Sequence, residues 1–208
     1  MNRLDSPGFV ALFGFVKKIL LLGDSIRLGY CGCVRDELAG YANVFYPEDN
    51  CRYTQYTMVN LDSWLNLAGA PGEFDLVHWN NGHWDAACWN GEAIQLNPPD
   101  QYAVMLERIH GRLRAACPRA RIVFALTTAM NPDGSQSRNR RTNADIERHN
   151  AAARAVMDRL GVPVNDLYAV TKNFAASYYL DHAHLVDEGY RVLGRRVAGV
   201  IRTELSLA

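Results

Sequence analysis

Three side chains in this sequence have the chemistry of an activated nucleophile, and they stand at opposite ends of the chain. Ser25 follows an aliphatic run, residues 19–22, that Gly23 closes within KKILLLGDS. A short continuous apolar run bounded by glycine reads as a buried parallel strand. Ser25 therefore falls at the carboxyl end of a strand, where open α/β sheets place their ligands. It also lies beside the first amides of the helix that follows, whose positive end favours a developing anion. Asp-Ser after glycine is equally an ordinary turn and helix cap, so the tripeptide alone does not decide. The far end of the chain tips the balance. There DHAHLVDEGY supplies Asp181 and, three residues later, His184. A serine needs a base to take its proton, and the base needs an acceptor to fix its tautomer. His182 in the same loop is the reserve candidate for the base, and only spacing selects His184.

At these residues the chain resembles the SGNH hydrolase superfamily, also called the GDSL esterases and lipases. Its first block, Gly-Asp-Ser, is matched by Gly23, Asp24 and Ser25, and its last, Asp-x-x-His, by Asp181 and His184. The end-to-end spacing extends the resemblance over nearly the whole chain. It implies Ser25 as nucleophile, His184 as base and Asp181 as the group that orients it, with no metal or organic cofactor required.

The middle blocks depart from the pattern. The family's second block carries a glycine whose amide faces the oxyanion, and PEDNCRYTQYT contains none. Cys51 or Asn50 falls near that position, and either can present an N–H. The third block, Gly-x-Asn-Asp, aligns on Gly82 and Asp85 and puts Trp84 where the asparagine is expected. Losing one oxyanion donor typically costs about a hundred- to a thousandfold in rate, so an active enzyme needs a replacement. Asn81 is the expected replacement over Asn80, because it lies nearer the loop, and Trp84 could itself donate through its indole N–H. The expected oxyanion hole is thus the Ser25 amide, an amide near Cys51 and the Asn81 side chain. Asp24, Asn80, His83 and Trp84 are expected around the substrate.

The elements that must position these groups follow from periodicity. Strands are expected at residues 19–22, 43–46, 74–79, 121–127 and 162–167. Helices are expected from Ser25 to about Ala39, over residues 56–67 and 102–116, from Thr142 to about Leu160, and from Asp187 onward. Thr142 with Asp145 reads as a capping pair, and Gly161 as the stop of that helix. Val192, Val197, Val200 and Ile201 are expected to pack the last helix on the sheet. Alternating strands and helices give an α/β fold, a three-layer α/β/α sandwich around a mainly parallel five-stranded sheet. The family resemblance adds the flavodoxin-like strand order. The chain reads as a single domain over residues 1–208, with 1–16 as an amino-terminal extension. His78, inside the third strand, reads as a core histidine. Trp79, Trp84 and Trp89 recur every five residues, which fits neither a helix face nor a strand face, so some are expected at the site mouth. The loop AMNPDGSQSRNRRTNAD is long and polar, and Arg138, Arg140 and Arg141 read in preference as a solvated charge run, contact with an anionic substrate being the less favoured reading.

Composition narrows the function. The 208 residues carry 22 basic and 22 acidic side chains, so no global field draws nucleic acid or an anionic membrane. The five cysteines, Cys31, Cys33, Cys51, Cys88 and Cys117, are odd in number and lack a Cys-x-x-Cys pair. Free thiols in a reducing compartment are expected, and the apolar stretch 9–16 lacks the parts of a signal peptide, so the protein is read as cytoplasmic. No metal site is expected, since Cys31 and Cys33 have no complementary ligands nearby. The expected activity is serine esterase, acting through an acyl-enzyme on small acyl esters, acetyl groups on carbohydrate among them. The tryptophans are the only local support for sugar. An acyltransferase of the same fold, or a non-catalytic carbohydrate-binding module with degenerate oxyanion blocks, are the alternatives.

Overall fold

Residues 16–70, 72–134 and 138–207 are described by a computed structural model; most of the expected amino-terminal extension lies outside them. The first apolar run is β1, Lys17–Leu22, whose last four residues are fully buried. It is flanked on one side by β2, Ala42–Phe45, and on the other by β3, Leu76–Trp79. β4, Arg121–Ala125, and the two-residue β5, Val164–Asn165, complete the sheet in the order β2-β1-β3-β4-β5. Every pairing is parallel, so every strand ends at the same rim. That is the flavodoxin-like order, with its switch point beside β1.

Because side chains alternate across a strand, the two faces take different residues. Leu20, Leu22, Val77, Trp79, Ile122 and Phe124 pack towards α2, Thr54–Leu65, α3, Pro99–Ala116, and α4, Asn143–Leu160. Ile19, Leu21, Leu76, Val123 and Ala125 pack against α1, Ser25–Glu37, and the final helix, Asp187–Leu205. A short helix, α5, Leu167–Thr171, precedes that final helix, α6, and was not foreseen from the sequence. On α6 the fully buried stripe is Leu193, Val197 and Ile201, while Val192 and Val200 flank it half-buried. The capping box at Thr142 and Asp145 forms in both directions, and Gly161 ends α4 in the left-handed conformation. His78 is buried in β3 and accepts from Asn165 Nδ2 at 3.1 Å, burial pushing its pKa down to about 3. All five cysteines are free. Among the described residues no helix is long and apolar enough to cross a membrane.

Candidate active site

Ser25 is the first residue of α1, separated from the end of β1 by Gly23 and Asp24. Asp24 caps that helix by accepting the Ile26 N–H at 3.0 Å. The Ser25 N–H is left with no acceptor among the described residues, as the first amides of a helix are unless a cap or ligand takes them. Asp24 itself is fully buried and its second oxygen has no hydrogen-bond partner. Burial raises its pKa, opposed by the Ile26 N–H and by the charges of Arg141, Arg27 and His184. It is therefore a cap beneath the site and does not reach substrate.

The loop before α6 brings the other two groups over Ser25. Tyr179 pairs with Leu185 in an antiparallel bridge, and the Leu180 N–H donates to the His184 carbonyl at 2.8 Å. The Arg-rich loop ties the turn from outside, since Asn131 Nδ2 donates to the Asp181 carbonyl and the Asn131 N–H to that of His182. His184 Nε2 lies 2.8 Å from Ser25 Oγ, and His184 Nδ1 lies 2.7 Å from Asp181 Oδ2. An ionised carboxylate only accepts, so the ring proton sits on Nδ1 and Nε2 is free to accept from the serine hydroxyl. Burial alone would raise the Asp181 pKa. The Ala183 and His184 N–H groups and the His184 ring outweigh it and draw the pKa down to about 2. His182 lines the same cavity, but its Nδ1 lies 3.7 Å from Asp181 Oδ1 and no bond joins it to Ser25.

The chain belongs to the GDSL-like lipase/acylhydrolase family. The family's model matches residues 21–192, from the end of β1 into α6. Solved structures with the GDSL fold resemble it closely in shape and distantly in sequence. An acetyl xylan esterase, AlAXEase, is 16% identical over 88% of this chain and 99% of its own, with a TM-score of 0.67. A lipase/acylhydrolase from Enterococcus faecalis is 19% identical over 90% of this chain and 96% of its own, with a TM-score of 0.70. A GDSL-like lipase from Bacteroides thetaiotaomicron VPI-5482 is 16% identical over 90% and 89%, with a TM-score of 0.70. No curated protein sequence matches the chain.

Within this GDSL-like fold two of the expected oxyanion donors are already occupied. The Cys51 N–H donates to the Gly23 carbonyl at 3.1 Å, continuing the pairing of the sheet rim. Asn81 is fully buried, and its Nδ2 donates to the Arg52 carbonyl and to Thr57 Oγ1 while its Oδ1 accepts from Trp79 Nε1. Its side chain ties the third block to the second and has no N–H left for a substrate. Asn80 is likewise spent, donating to the Ala125 carbonyl at 2.8 Å beside a small buried void of about 10 Å³. Asp85 accepts from the Thr54 N–H and hydroxyl and from Asn97 Nδ2, anchoring the loop. Gly82 makes the turn into this loop at φ 152°, where an added Cβ would lie 2.0 Å from Thr127 Oγ1.

The cavity over Ser25 measures about 370 Å³ and is lined by Ser25, Asn50, Trp84, Trp89, Asn139, Arg141, His182 and His184. Trp84 and Trp89 lie with ring centroids 4.7 Å apart, and the Trp89 indole donates to the Trp84 carbonyl. Trp79 is in the core. Asn50 accepts the Arg52 N–H on Oδ1 at 2.8 Å, which fixes the amide's orientation, and its Nδ2 has no acceptor among the described residues. The loop that carries it is held by the buried Arg27, whose guanidinium donates to the carbonyls of Pro47 and Asp49 as well as Gly23. Sequence reading missed Arg27, since a single arginine in an amphipathic helix carries no signal of burial.

Arg141 also stands in the cavity wall, contrary to its reading as part of a solvated run, while Arg138 is exposed. Its Nε donates to His83 Nδ1 at 3.2 Å, and His83 Nε2 lies 2.8 Å from Thr128 Oγ1. His83 is buried and braces Arg141 instead of meeting substrate. Among the described residues no group of His, Cys, Asp and Glu could hold a metal.

Proposed function

We propose that this protein is a serine esterase that hydrolyses small acyl esters, acetyl esters on carbohydrate among them, through an acyl-enzyme. The observation that carries the reading is the continuous hydrogen-bond chain from Ser25 Oγ through His184 to Asp181 at the carboxyl rim of a parallel sheet. Ser25 Oγ attacks the ester carbonyl carbon while its proton passes to His184 Nε2, and Asp181 stabilises the imidazolium. The tetrahedral oxyanion is held by the Ser25 N–H and Asn50 Nδ2, two donors in the cavity lining that have no acceptor among the described residues. Collapse breaks the bond to the leaving alcohol, which takes the proton from His184. A water molecule then attacks the acyl carbon, giving its proton to the same nitrogen, and Ser25 leaves with that proton restored.

The cavity is small and half aromatic, which favours a short acyl group and a ring-shaped alcohol. The fold shared with an acetyl xylan esterase supports the same choice. The test is hydrolysis of p-nitrophenyl acetate and labelling by a fluorophosphonate, each compared with Ser25→Ala. Turnover and labelling that vanish in the variant are expected. A natural protein that neither labels nor turns over would instead be the binding module that retains this scaffold without its chemistry. A paired comparison of His184→Ala and His182→Ala assigns the base, with only the first expected to be inactive.

A further inference from the structure

Arg141 is held as a binding group would be held. On its amino side Arg140 is fixed by an antiparallel bridge to Cys88, and on its carboxyl side Thr142 opens the capping box of α4. The backbone at Arg141 is thus clamped from both directions although the loop before it is long. Its side chain is half-buried in the wall of the Ser25 cavity. Buried arginines normally pair with carboxylates, because an unpaired charge withdrawn from water is costly. This one makes no ion pair among the described residues. Asp24 and Asp181 act on it only at longer range.

The group that does hold it is neutral. Nδ1 of His83 accepts from Arg141 Nε, so the ring proton sits on Nε2 and is donated to Thr128 Oγ1. Burial and the neighbouring Arg141 charge both push the His83 pKa well below its ordinary value, which keeps the ring an acceptor. The Nε contact fixes the guanidinium plane and cancels none of its charge. Nη1 and Nη2 have no acceptor among the described residues, and the remaining lining groups are the Ser25 hydroxyl, amides, indoles and histidines. A fork of this kind matches a carboxylate or phosphate oxygen pair.

We propose that Arg141 is a specificity determinant that binds an anionic group of the ester substrate, carried on either its acyl or its alcohol part. The inference rests on the esterase reading for what is bound beside Ser25, and adds that the preferred esters are negatively charged.

Two matched pairs test it, each rate normalised to uncatalysed hydrolysis. On the alcohol side 4-acetoxybenzoate is compared with its methyl ester. On the acyl side the mono-p-nitrophenyl ester of adipic acid is compared with the corresponding methyl-blocked diester. The natural protein is expected to favour the anionic member of at least one pair by about tenfold or more in kcat/KM, the scale of a charge-assisted contact. The pair that shows the preference identifies the side. Arg141→Gln should bring that ratio to within about threefold, and Arg141→Lys should retain part of it. Melting temperature and fluorophosphonate labelling of Ser25 report that the variants are folded. A ratio near one in the natural protein overturns the proposal. So does an equal loss on charged and neutral esters in Arg141→Gln, which would make Arg141 an oxyanion donor. Binding of the same pairs to Ser25→Ala by calorimetry separates this inference from the esterase reading. Anion-selective binding that Arg141→Gln abolishes, in a protein without turnover, would retain the first and remove the second. Turnover of all esters with no selectivity would do the reverse.

Discussion

Asp181→Asn is a near-isosteric change whose consequence is dictated by the backbone around it. Oδ1 of Asp181 accepts the N–H groups of Ala183 at 2.8 Å and His184 at 2.7 Å, and Oδ2 accepts from the His184 ring. In the variant only the carboxamide oxygen can accept the two backbone donors, so the NH2 group must turn towards His184. Two N–H groups would then face each other unless the imidazole proton moves to Nε2. That tautomer presents a donor to Ser25 Oγ and cannot take its proton.

A wrong tautomer in a triad costs about 10⁴ in kcat when the site is sealed. Here the Asp181 side chain is 42% exposed, and water can partly restore the productive ring. A loss of about 10³ in kcat/KM is expected, equivalent to about 4 kcal/mol of transition-state stabilisation. Asp181→Ala removes the orienting acceptor without imposing the wrong tautomer, so it should lose less, about 10². Steady-state hydrolysis of p-nitrophenyl acetate measures both, and the rate of fluorophosphonate labelling gives an independent ranking. An Asp181→Asn rate within tenfold of the natural protein, or an alanine variant slower than the asparagine one, would refute the reasoning.

The same carboxylate sets a stability dependence on pH. Its pKa is depressed to about 2 in the folded protein. Its contribution is therefore complete above the unfolded carboxylate value of about 4 and lost as pH falls from there to about 2. The melting-temperature gap between the natural protein and Asp181→Asn should shrink across that window, and a constant gap would contradict the assignment. Asn50→Ala should lower kcat by about 10² with little change in KM, the signature of an interaction made only with the oxyanion. Asn50→Asp keeps the acceptor for the Arg52 N–H but replaces the donor, and should be slower still; an alanine variant within threefold of the natural kcat removes Asn50 from the hole. Asp85→Ala leaves the buried Thr54 N–H without its acceptor and takes from the Asn97 amide one of its three. It should cost about 2–4 kcal/mol, seen as a fall of about 5–15 °C in melting temperature, and an unshifted transition would show that the loop is anchored elsewhere.

Periodicity and turn chemistry made most of the architecture legible. The aliphatic run at residues 19–22, the capping pair at Thr142 and the glycine stop at 161 each express a local rule, and each appears where its rule puts it. α5 was hidden because five residues are too few to display a helical period. The strands at 121–127 and 162–167 are shorter than the apolar runs that announced them: Leu126 still donates to the Asn165 carbonyl of β5, but the Thr127 N–H turns to the Asn150 side chain, and Leu167 already opens α5. The meeting of Ser25 with Asp181 and His184 was legible because the element order forces both onto one rim. The wall of the cavity was not, because residue type says nothing of which hydrogen bonds are already spent.

Asn81 and Cys51 show why proximity to a strand end misleads. The first residues to leave a parallel strand still lie within reach of the neighbouring strand's last carbonyls and side chains. The Asn80 N–H accordingly goes to the Leu22 carbonyl and the Cys51 N–H to Gly23, closing the rim. Asn81, one residue further, is drawn inward to join two loops that would otherwise bury unpaired carbonyls. Besides the Ser25 amide at the start of α1, donors stay open where the chain has cleared the rim but is still braced, as at two positions in the cavity wall. Asn50 is oriented by the Arg52 amide, in a loop clamped by Arg27. Arg141 is oriented by His83 between a bridge and a cap. The polar groups that meet the substrate are thus expected from loops pinned on both sides, and the asparagines beneath them serve to do the pinning.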